Sequence, residues 1–218
     1  MLYQLVGTDP MTVQTTVSPR EGKSTREVVI EAATRLIHLR GYQKTSIDDV
    51  LSASGVGKGN FYHYFKSKED LGYAILDRVV EAFLERALEP CFHDREGARL
   101  AQIRCFLGRV RDAQHERNCV GGCVFGNLAA ELSDVHEGFR ARLAGLFSRW
   151  RARLMQALEE AQRRGEVTDA CRPAAVAHFL VASLEGAILL TKLTKDIASM
   201  DRCVEEMNSY LSMYETRS

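Results

Sequence analysis

Side chains able to bind nucleic acid are concentrated between residues 57 and 68. An Asn amide can pair with the edge of a base, and Tyr, His and Lys can donate to phosphate oxygens. Glycines at the start of a helix let its free backbone N–H groups approach an anion closely. The side chains and glycine of this segment that would do such chemistry are Lys58, Gly59, Asn60, Tyr62, His63, Tyr64 and Lys68.

Two short helices are predicted to position these groups. Thr45 or Ser46 can cap the first helix, and Gly55 can end it with a positive φ. In the second helix Phe61 and Phe65 are four residues apart, so both rings are predicted to face the core and leave the polar side chains outward. The pattern is typical of a helix-turn-helix whose second helix enters the DNA major groove. The apolar face of the first helix comprises Ile47, Val50 and Leu51.

The segment from Arg26 to Leu76 resembles the DNA-binding domain of the tetracycline-repressor-like (TetR) family. It shares Gly41-Tyr42, Thr45, Gly55-Val56 and the run from Lys58 to Lys68 with that family, although its His63-Tyr64 order departs from the commoner Tyr-His. The resemblance implies a two-domain, all-helical homodimer. It also implies DNA contacts at Thr45, Lys58, Gly59, Asn60, Tyr62, His63, Tyr64 and Lys68.

The formal charge of the 218 residues is zero, but it is unevenly distributed. Residues 19–68 contain nine Lys or Arg and five Asp or Glu, a net of +4, whereas residues 69–218 have a net of −3. Positive charge therefore lies where phosphate contact is expected, which favours double-stranded DNA as a partner. A solvated basic face would give the same asymmetry.

The helical periodicity predicts an all-α fold of about nine helices. We divide it into a flexible tail (1–22), a three-helix DNA-binding domain (23–70) and a C-terminal effector-binding and dimerisation domain (71–218). Arg20 and Lys23 either reach the DNA minor groove or belong to a disordered end. The remaining predicted helices cover 25–39, 69–89, 97–116, 123–132, 134–164, 173–195 and 200–214.

Composition argues against several other classes of protein. The six cysteines lack the paired spacing of a zinc site, so we expect mostly free thiols, no metal and no cofactor. The longest apolar run, 174–193, is interrupted by His178, Ser183, Glu185 and Gly186, and no signal peptide is evident, so we expect a cytoplasmic protein that does not cross a membrane.

Two C-terminal helices are candidates for dimerisation. The 173–192 segment is apolar almost all round and rich in small residues, so it must be buried on several sides. Together with the long helix that contains Trp150, it can form a four-helix dimer interface. An ordinary internal core helix is the alternative interpretation.

Cys123 is the candidate sensing residue. It follows Gly121-Gly122 in the first turn of a predicted helix, where the dipole would lower the pKa of its thiol and the glycines would leave its sulfur open. The region resembles a TetR subgroup that includes regulators of responses to acrylate and other electrophiles. That resemblance implies that Cys123 is a sensing thiol and Lys192 a cationic neighbour, whereas the alternative is a packed core cysteine.

Aromatic side chains in the C-terminal helices either line a ligand cavity or form plain core. The set comprises Trp150, Phe106, Phe125, Phe139, Phe147, Phe179, His178, Met155 and Tyr210.

The sequence thus predicts a DNA-binding regulator, most simply a repressor. It would bind a palindromic operator as a homodimer and be released by a small-molecule or electrophile effector, or by modification of Cys123. A helical enzyme and a protein-binding adaptor are the rival classes, but no nucleophile, base and orienting group occur together and no cofactor loop is present. We therefore expect no catalytic activity, and the effector, the operator and the choice between repressor and activator stay open.

Overall fold

The described part of the chain is built from α-helices. A computed structural model describes residues 23–94 and 96–216, so the predicted tail and its Arg20 lie outside the described residues. In these ranges there are nine α-helices and no strand, apart from one isolated bridge between Val167 and Glu215, which confirms the all-α prediction. The helices are α1 (Thr25–Arg40), α2 (Ile47–Ser54), α3 (Lys58–Tyr64), α4 (Lys68–Phe83), α5 (Arg99–Glu116), α6 (Val124–Leu132), α7 (Glu137–Arg163), α8 (Pro173–Thr194) and α9 (Ala198–Ser212).

Serine residues begin three of the first four helices. The hydroxyls of Ser24, Ser46 and Ser67 each accept from the backbone N–H three residues later, which satisfies a donor that the helix leaves free. Ser46, rather than Thr45, is therefore the cap of α2. The helix ends at Gly55, whose φ of 68° is left-handed, as the sequence predicted.

The N-terminal helices share a small core beneath α3. Phe61 and Phe65 are 0 % and 1 % exposed, and their ring centroids lie 5.6 Å apart, which confirms that both rings face inward. The guanidinium carbon of Arg26 lies 5.6 Å from the centre of the Phe65 ring. Because both phenylalanines use the inner side of α3, the remaining side chains of this short helix are turned to solvent.

Helix α4 connects the N-terminal helices to the C-terminal bundle. The sequence predicted one helix over 69–89, but α-helical geometry ends at Phe83 and is followed by a π-helical turn (Leu84–Leu88) and a 3-10 turn (Glu89–Cys91). Pro90 accounts for part of this change, because it has no N–H to donate to the carbonyl four residues earlier. The predicted domain boundary at residue 70 falls in the first turn of α4.

Gly72 lets α4 pass close to two aromatic rings. A Cβ at this position would lie 2.6 Å from Phe139 Cζ on α7 and 2.7 Å from Tyr42 Cε2, both closer than real Cβ contacts. Tyr42 belongs to the turn between α1 and α2, so α4 is clamped between the N-terminal helices and the bundle. A displacement of α4 would therefore disturb its contacts with both the N-terminal helices and the C-terminal bundle.

Helices α5 to α9 form the C-terminal bundle. Helix α8 packs along α7 and α9, and α5 packs on α7 and α9. By length and composition α8 alone among the described helices would also suit a membrane, but its buried side chains pack within the helical bundle. Its outer side has no covering helix in the described chain. The exposed apolar side chains there are Phe179 (46 %), Leu189 (61 %), Leu190 (49 %) and Leu193 (74 %).

The cysteines are not all free. Cys119, Cys123, Cys171 and Cys203 carry free thiols, in agreement with the prediction of mostly unpaired cysteines. Cys91 and Cys105, however, are joined in a disulfide between the 3-10 turn after α4 and helix α5. This pair was not predicted from the sequence, because the two cysteines meet only through the turn that ends the α4 segment.

Candidate functional site

The outer face of α3 presents most of the predicted nucleic-acid contacts. Tyr62 and Tyr64 are 46 % and 40 % exposed, and His63 packs edge-on against Tyr64 with ring centroids 4.8 Å apart. Six of the predicted contact residues lie on this exposed surface, which we call the α3 face. They are Lys58, Gly59, Asn60, Tyr62, His63 and Tyr64.

The glycines at the start of α3 are not required by packing within the chain. A Cβ added at Gly57 or Gly59 would meet no other protein atom within 4 Å. Neither residue has a positive φ. Their small size therefore leaves open space in front of the free N–H groups at the start of α3, where an anion could approach.

Thr45 and Lys68 are placed differently from the other predicted contacts. Thr45 is 2 % exposed and its hydroxyl donates to the Gly41 carbonyl over 2.8 Å, so its side chain holds the α1–α2 turn and does not reach the surface. The Lys68 ammonium lies 4.5 Å from the centre of the Tyr42 ring and donates to the Gln43 carbonyl over 3.3 Å. The Lys68 side chain would have to leave these partners to bind a phosphate.

A carboxylate from the C-terminal bundle holds the α1–α2 turn. Glu131, near the end of α6, accepts from the backbone N–H of Tyr42 over 2.9 Å and of Gln43 over 2.6 Å. A Cβ at Gly41 would lie 3.1 Å and 3.2 Å from the two carboxylate oxygens, a tight contact, and the φ of 90° at this position also favours glycine. This contact was not predicted from the sequence, because Glu131 looks like any other helical glutamate and its partner Gln43 lies 88 positions away along the chain.

The structure corrects the prediction made for Cys123. Cys123 is the N-cap of α6 and accepts from Gly126 N–H over 3.5 Å, but its side chain also contacts the carboxyl group of Glu185 on α8. Burial and the Glu185 carboxylate raise the pKa of the Cys123 thiol, and they outweigh the hydrogen bonds from the start of α6. The Cys123 residue is partly exposed, but the pKa of its thiol lies above its ordinary value, which is the opposite of the low-pKa thiolate that the sequence predicted.

Glu185 and Lys192 complete the surroundings of Cys123. Burial raises the pKa of Glu185, whose Oε1 is buried without a hydrogen-bond partner among the described residues. Lys192 was predicted to be a cationic neighbour of Cys123, but its ammonium donates to Asn127 Oδ1 over 3.0 Å, and its stem fills the space beside Gly122. The charged group that raises the pKa of the thiol is thus Glu185.

His38, at the end of α1, is buried against the loop that precedes α6. Its ring fills the space beside Gly121, and its Nε2 has no hydrogen-bond partner among the described residues. Burial, followed by the positive charges of Arg117 and Lys192, lowers the pKa of His38 to about 4. The imidazole is therefore neutral at physiological pH and joins α1 to the α5–α6 loop.

The buried imidazole of His38 should make the protein less stable in mild acid. Since the pKa is about 6.5 in an unfolded chain and about 4 here, only the unfolded chain takes up the proton as pH falls between these values. We expect a loss of up to about 3 kcal/mol of unfolding free energy from pH 7 to pH 4 through this group. Urea unfolding of wild type and His38→Leu across that range measures it, and parallel pH profiles would contradict the assignment.

The predicted cavity residues separate into four groups. Phe106, Phe125 and Trp150 surround Phe83, the last residue of α4, whose ring centroid lies 5.3 Å from that of Trp150 and 5.6 Å from that of Phe125. The Trp150 side chain is almost fully buried, and its indole N–H has no acceptor among the described residues. We call Phe83, Phe106, Phe125 and Trp150 the aromatic cluster.

The other predicted cavity residues lie elsewhere. Phe139 packs on Tyr42 and Tyr73, and Phe179 lies against Tyr210 with ring centroids 4.8 Å apart. Phe147 stacks on Trp150 at the margin of the aromatic cluster. A groove of about 290 Å³ between α7 and α8 is lined by Ser148, Arg151, Ala152, Met155, Ala174, Ala177 and His178.

Metal binding has no support in the described residues. No group of three or more His, Cys, Asp or Glu side chains in residues 23–94 and 96–216 is arranged to hold a metal ion.

Comparison with known proteins extends the likeness over both halves of the chain. Residues 29–75 match the family model "Bacterial regulatory proteins, tetR family", and residues 99–207 match "Tetracyclin repressor-like, C-terminal domain". The transcriptional regulator AcuR of Cereibacter sphaeroides is 34% identical over 165 residues, which cover 76% of this chain and 75% of AcuR. The HTH-type transcriptional repressor NemR of Escherichia coli K12 is 27% identical over 86% of this chain and 94% of NemR.

Solved structures share the same architecture. A regulatory protein TetR from Rhodobacter sphaeroides superimposes with a TM-score of 0.77 at 31% identity, over 85% of this chain and 97% of that one. The reduced form of E. coli NemR gives a TM-score of 0.76 at 28% identity, over 84% of this chain and 94% of NemR. The two family matches include the α3 face, Cys123, Phe106, Phe125 and Trp150. The chain belongs to the TetR family of DNA-binding transcriptional regulators.

Proposed function

We propose that the chain is a cytoplasmic, non-catalytic repressor that binds a palindromic operator as a homodimer. The observation that carries the proposal is the α3 face, where polar and aromatic side chains are exposed above two fully buried phenylalanines. Exposed tyrosines and histidine on so short a helix need a partner, and the open space beside Gly59 suits a phosphate. The proposed contacts are Lys58, Gly59, Asn60, Tyr62, His63 and Tyr64, with Lys68 joining them if it leaves Gln43.

The division into domains follows from the same proposal. Residues 23–70 would form the DNA-binding domain and residues 71–218 the effector-binding and dimerisation domain, with α4 shared between them. The Thr45 side chain would act indirectly, by holding the turn that leads into α2.

Dimerisation is proposed to bury the outer side of α8. Exposed leucines and a phenylalanine on one side of an otherwise packed helix are costly in water, and a second copy of the same helix can cover them. Helix α7, together with the groove beside Met155 and His178, would complete a four-helix interface. The two α3 helices must then lie roughly 34–36 Å apart to enter successive major grooves.

The proposed effector acts at the aromatic cluster or at Cys123. The unpaired Trp150 N–H could donate to a small molecule that carries an acceptor oxygen. An electrophile would form a bond to the Cys123 sulfur while the thiol proton moves to Glu185, whose carboxyl group it already contacts. Switching the operator from nearly full to nearly empty requires about 5.5 kcal/mol of differential affinity.

Helices α4 and α6 are proposed to transmit a change at the effector sites to the DNA-binding helices. Helix α4 ends in the aromatic cluster at Phe83 and begins at Lys68, four residues after α3 ends. Helix α6 is capped by Cys123 and, near its other end, holds the α1–α2 turn through Glu131. A change at either candidate effector site would therefore shift an element that contacts the DNA-binding helices.

Removal of the Glu131 carboxylate should loosen this connection. Glu131→Ala leaves the N–H groups of Tyr42 and Gln43 without their charged acceptor, so we expect a loss of about 1.5–3 kcal/mol of unfolding free energy. Urea unfolding followed by circular dichroism measures the loss. Glu131→Gln keeps one acceptor oxygen and should lose less, whereas equal stability of all three proteins would contradict the role assigned to Glu131.

A gel-shift assay with the DNA upstream of the chain's own gene tests the proposed function. We expect binding by two chains for each site, tighter than to a scrambled fragment of equal length at the same salt concentration. Equal affinity for the upstream fragment and the scrambled fragment would refute the proposal. Addition of an α,β-unsaturated aldehyde should release wild type but not Cys123→Ser, and equal release of both proteins would exclude the thiol as the sensor.

A further inference from the structure

The disulfide between Cys91 and Cys105 lies where α4 gives way to α5. The Cα atoms are 5.8 Å apart, within the range of about 4.4–6.8 Å that a disulfide spans without moving the backbone. Cys91 is 5 % exposed, whereas Cys105 lies on the exposed side of α5. Cys105 is thus the accessible member of the pair, and Cys91 is the buried one.

Three further contacts join the end of the α4 segment to the bundle. Because Pro90 has no N–H, the carbonyl of Arg86 lacks its α-helical donor, and the Arg109 guanidinium donates to it over 3.0 Å. The Arg153 guanidinium donates to the Phe92 carbonyl over 3.1 Å and lies 4.3 Å from the Phe92 ring centre. Arg109 is one helical turn beyond Cys105, so the disulfide and this hydrogen bond act from the same face of α5.

We propose that Cys91 and Cys105 form a thiol–disulfide exchange site for low-molecular-weight disulfides of the glutathione type, and that closing the bond fixes the end of the α4 segment on α5. The site is separate from Cys123, which belongs to α6 and contacts α8. A π-helical turn immediately precedes the 3-10 turn that contains Cys91, and single π-helical turns are frequent at functional sites.

The exchange is balanced by the external disulfide. The Cys105 thiolate attacks one sulfur of the small disulfide, forms a mixed disulfide and releases one thiolate. The Cys91 thiolate then attacks the Cys105 sulfur and releases the second thiolate. Two protein thiols are oxidised to one disulfide, the external disulfide is reduced to two thiols, and the two protein-derived protons leave with them.

The redox state of Cys91 and Cys105 should affect the DNA-binding helices through α4. Phe83 lies in the aromatic cluster beside Phe106, the residue after Cys105, with ring centroids 6.2 Å apart. Opening the disulfide frees the turn that follows Phe83 from a covalent link to α5. The reduced chain therefore has a looser α4 end, whether or not any effector is bound.

Redox titration of the full chain tests the site without any DNA. The protein is equilibrated in buffers of glutathione and glutathione disulfide, quenched with acid, alkylated and examined by peptide mass spectrometry. We expect Cys91 and Cys105 to pass together from two alkylated thiols to one mutual disulfide, while Cys203, a free thiol on α9, pairs with neither. Alkylation of Cys91 at every buffer ratio would overturn the proposal, as would a disulfide that can be reduced only in denaturant.

Hydrogen exchange and DNA binding test the mechanical consequence. The backbone amides of residues 84–89 and 91 should exchange about tenfold faster in the reduced wild type than in the oxidised one, and Cys105→Ser should match the reduced protein. In a Cys123→Ser background, operator Kd should differ by about fivefold between the two states. Equal exchange rates would overturn the fixing of α4, and equal Kd values would overturn its link to DNA, although neither result bears on whether the chain binds an operator.

Discussion

Replacing Phe61 with alanine should lower the unfolding free energy by about 3–5 kcal/mol, which is the usual cost of deleting a fully buried aromatic ring. The Phe61 ring is 0 % exposed and contacts Phe65 and Tyr62, with ring centroids 5.6 Å and 5.2 Å away. Helix α3 has only seven residues, too few to be stable alone, so its packing on this ring keeps it folded. Urea unfolding followed by circular dichroism measures the loss.

Tyr62→Ala is the matched control for the Phe61 substitution. It removes a neighbouring aromatic ring from the same helix, but one that is 46 % exposed, so we expect a change within about 1 kcal/mol. A loss below about 1 kcal/mol for Phe61→Ala, or equal losses for both variants, would mean that α3 is held by something other than its buried face.

The DNA-binding helices were predictable because local rules decide them. The Ser46 cap, the left-handed Gly55 and the i, i+4 pair of Phe61 and Phe65 depend on neighbours within a few residues. The wrong predictions depend on distant partners. Thr45 was assigned to the surface by resemblance alone, and its burial became visible only when the turn from α1 was in place.

Cys123 shows the limit of local reasoning most clearly. Its position at the start of a helix would by itself lower the pKa of the thiol, and the sequence left a packed core cysteine as the alternative. The side chain that reverses the shift, Glu185, lies 62 positions further along the chain and reaches the sulfur only because α8 packs near α6. The same holds for Glu131, whose two backbone partners lie in the α1–α2 turn.

The corrected chemistry of Cys123 changes how the regulator would respond. A neutral thiol beside a carboxyl group reacts slowly with weak oxidants, because the thiolate is the reactive form. Proton transfer to Glu185 would make the thiolate only when a reagent is already bound nearby. Cys123 would then respond to reagents that fit beside α6, whereas the exposed Cys105 would respond to any small disulfide in solution.

Loss of the Tyr62 side chain should weaken operator binding by about 30-fold to 10⁴-fold, because the dimer loses about 1–3 kcal/mol of contact at each of two half-sites. The fold should survive, since the ring is nearly half exposed and Phe61 remains in place. Fluorescence anisotropy with the operator fragment at fixed salt concentration measures the Kd. Tyr62→Phe separates the hydroxyl from the ring, and it should retain most of the affinity if the ring packs against the DNA sugar and base edges.

Two further variants distinguish sequence-specific DNA binding by α3 from non-specific binding by a positively charged surface. Lys58→Ala should weaken binding to operator and scrambled DNA alike and reduce the salt dependence by about two released ions per dimer, whereas Asn60→Ala should lower mainly the preference for the operator. Arg140→Ala removes one positive charge from α7, where Arg140 pairs with Glu137, and should change neither quantity. If Lys58→Ala and Arg140→Ala behaved alike, binding would follow the net charge of the chain, and the α3 face would not be the DNA-contacting surface.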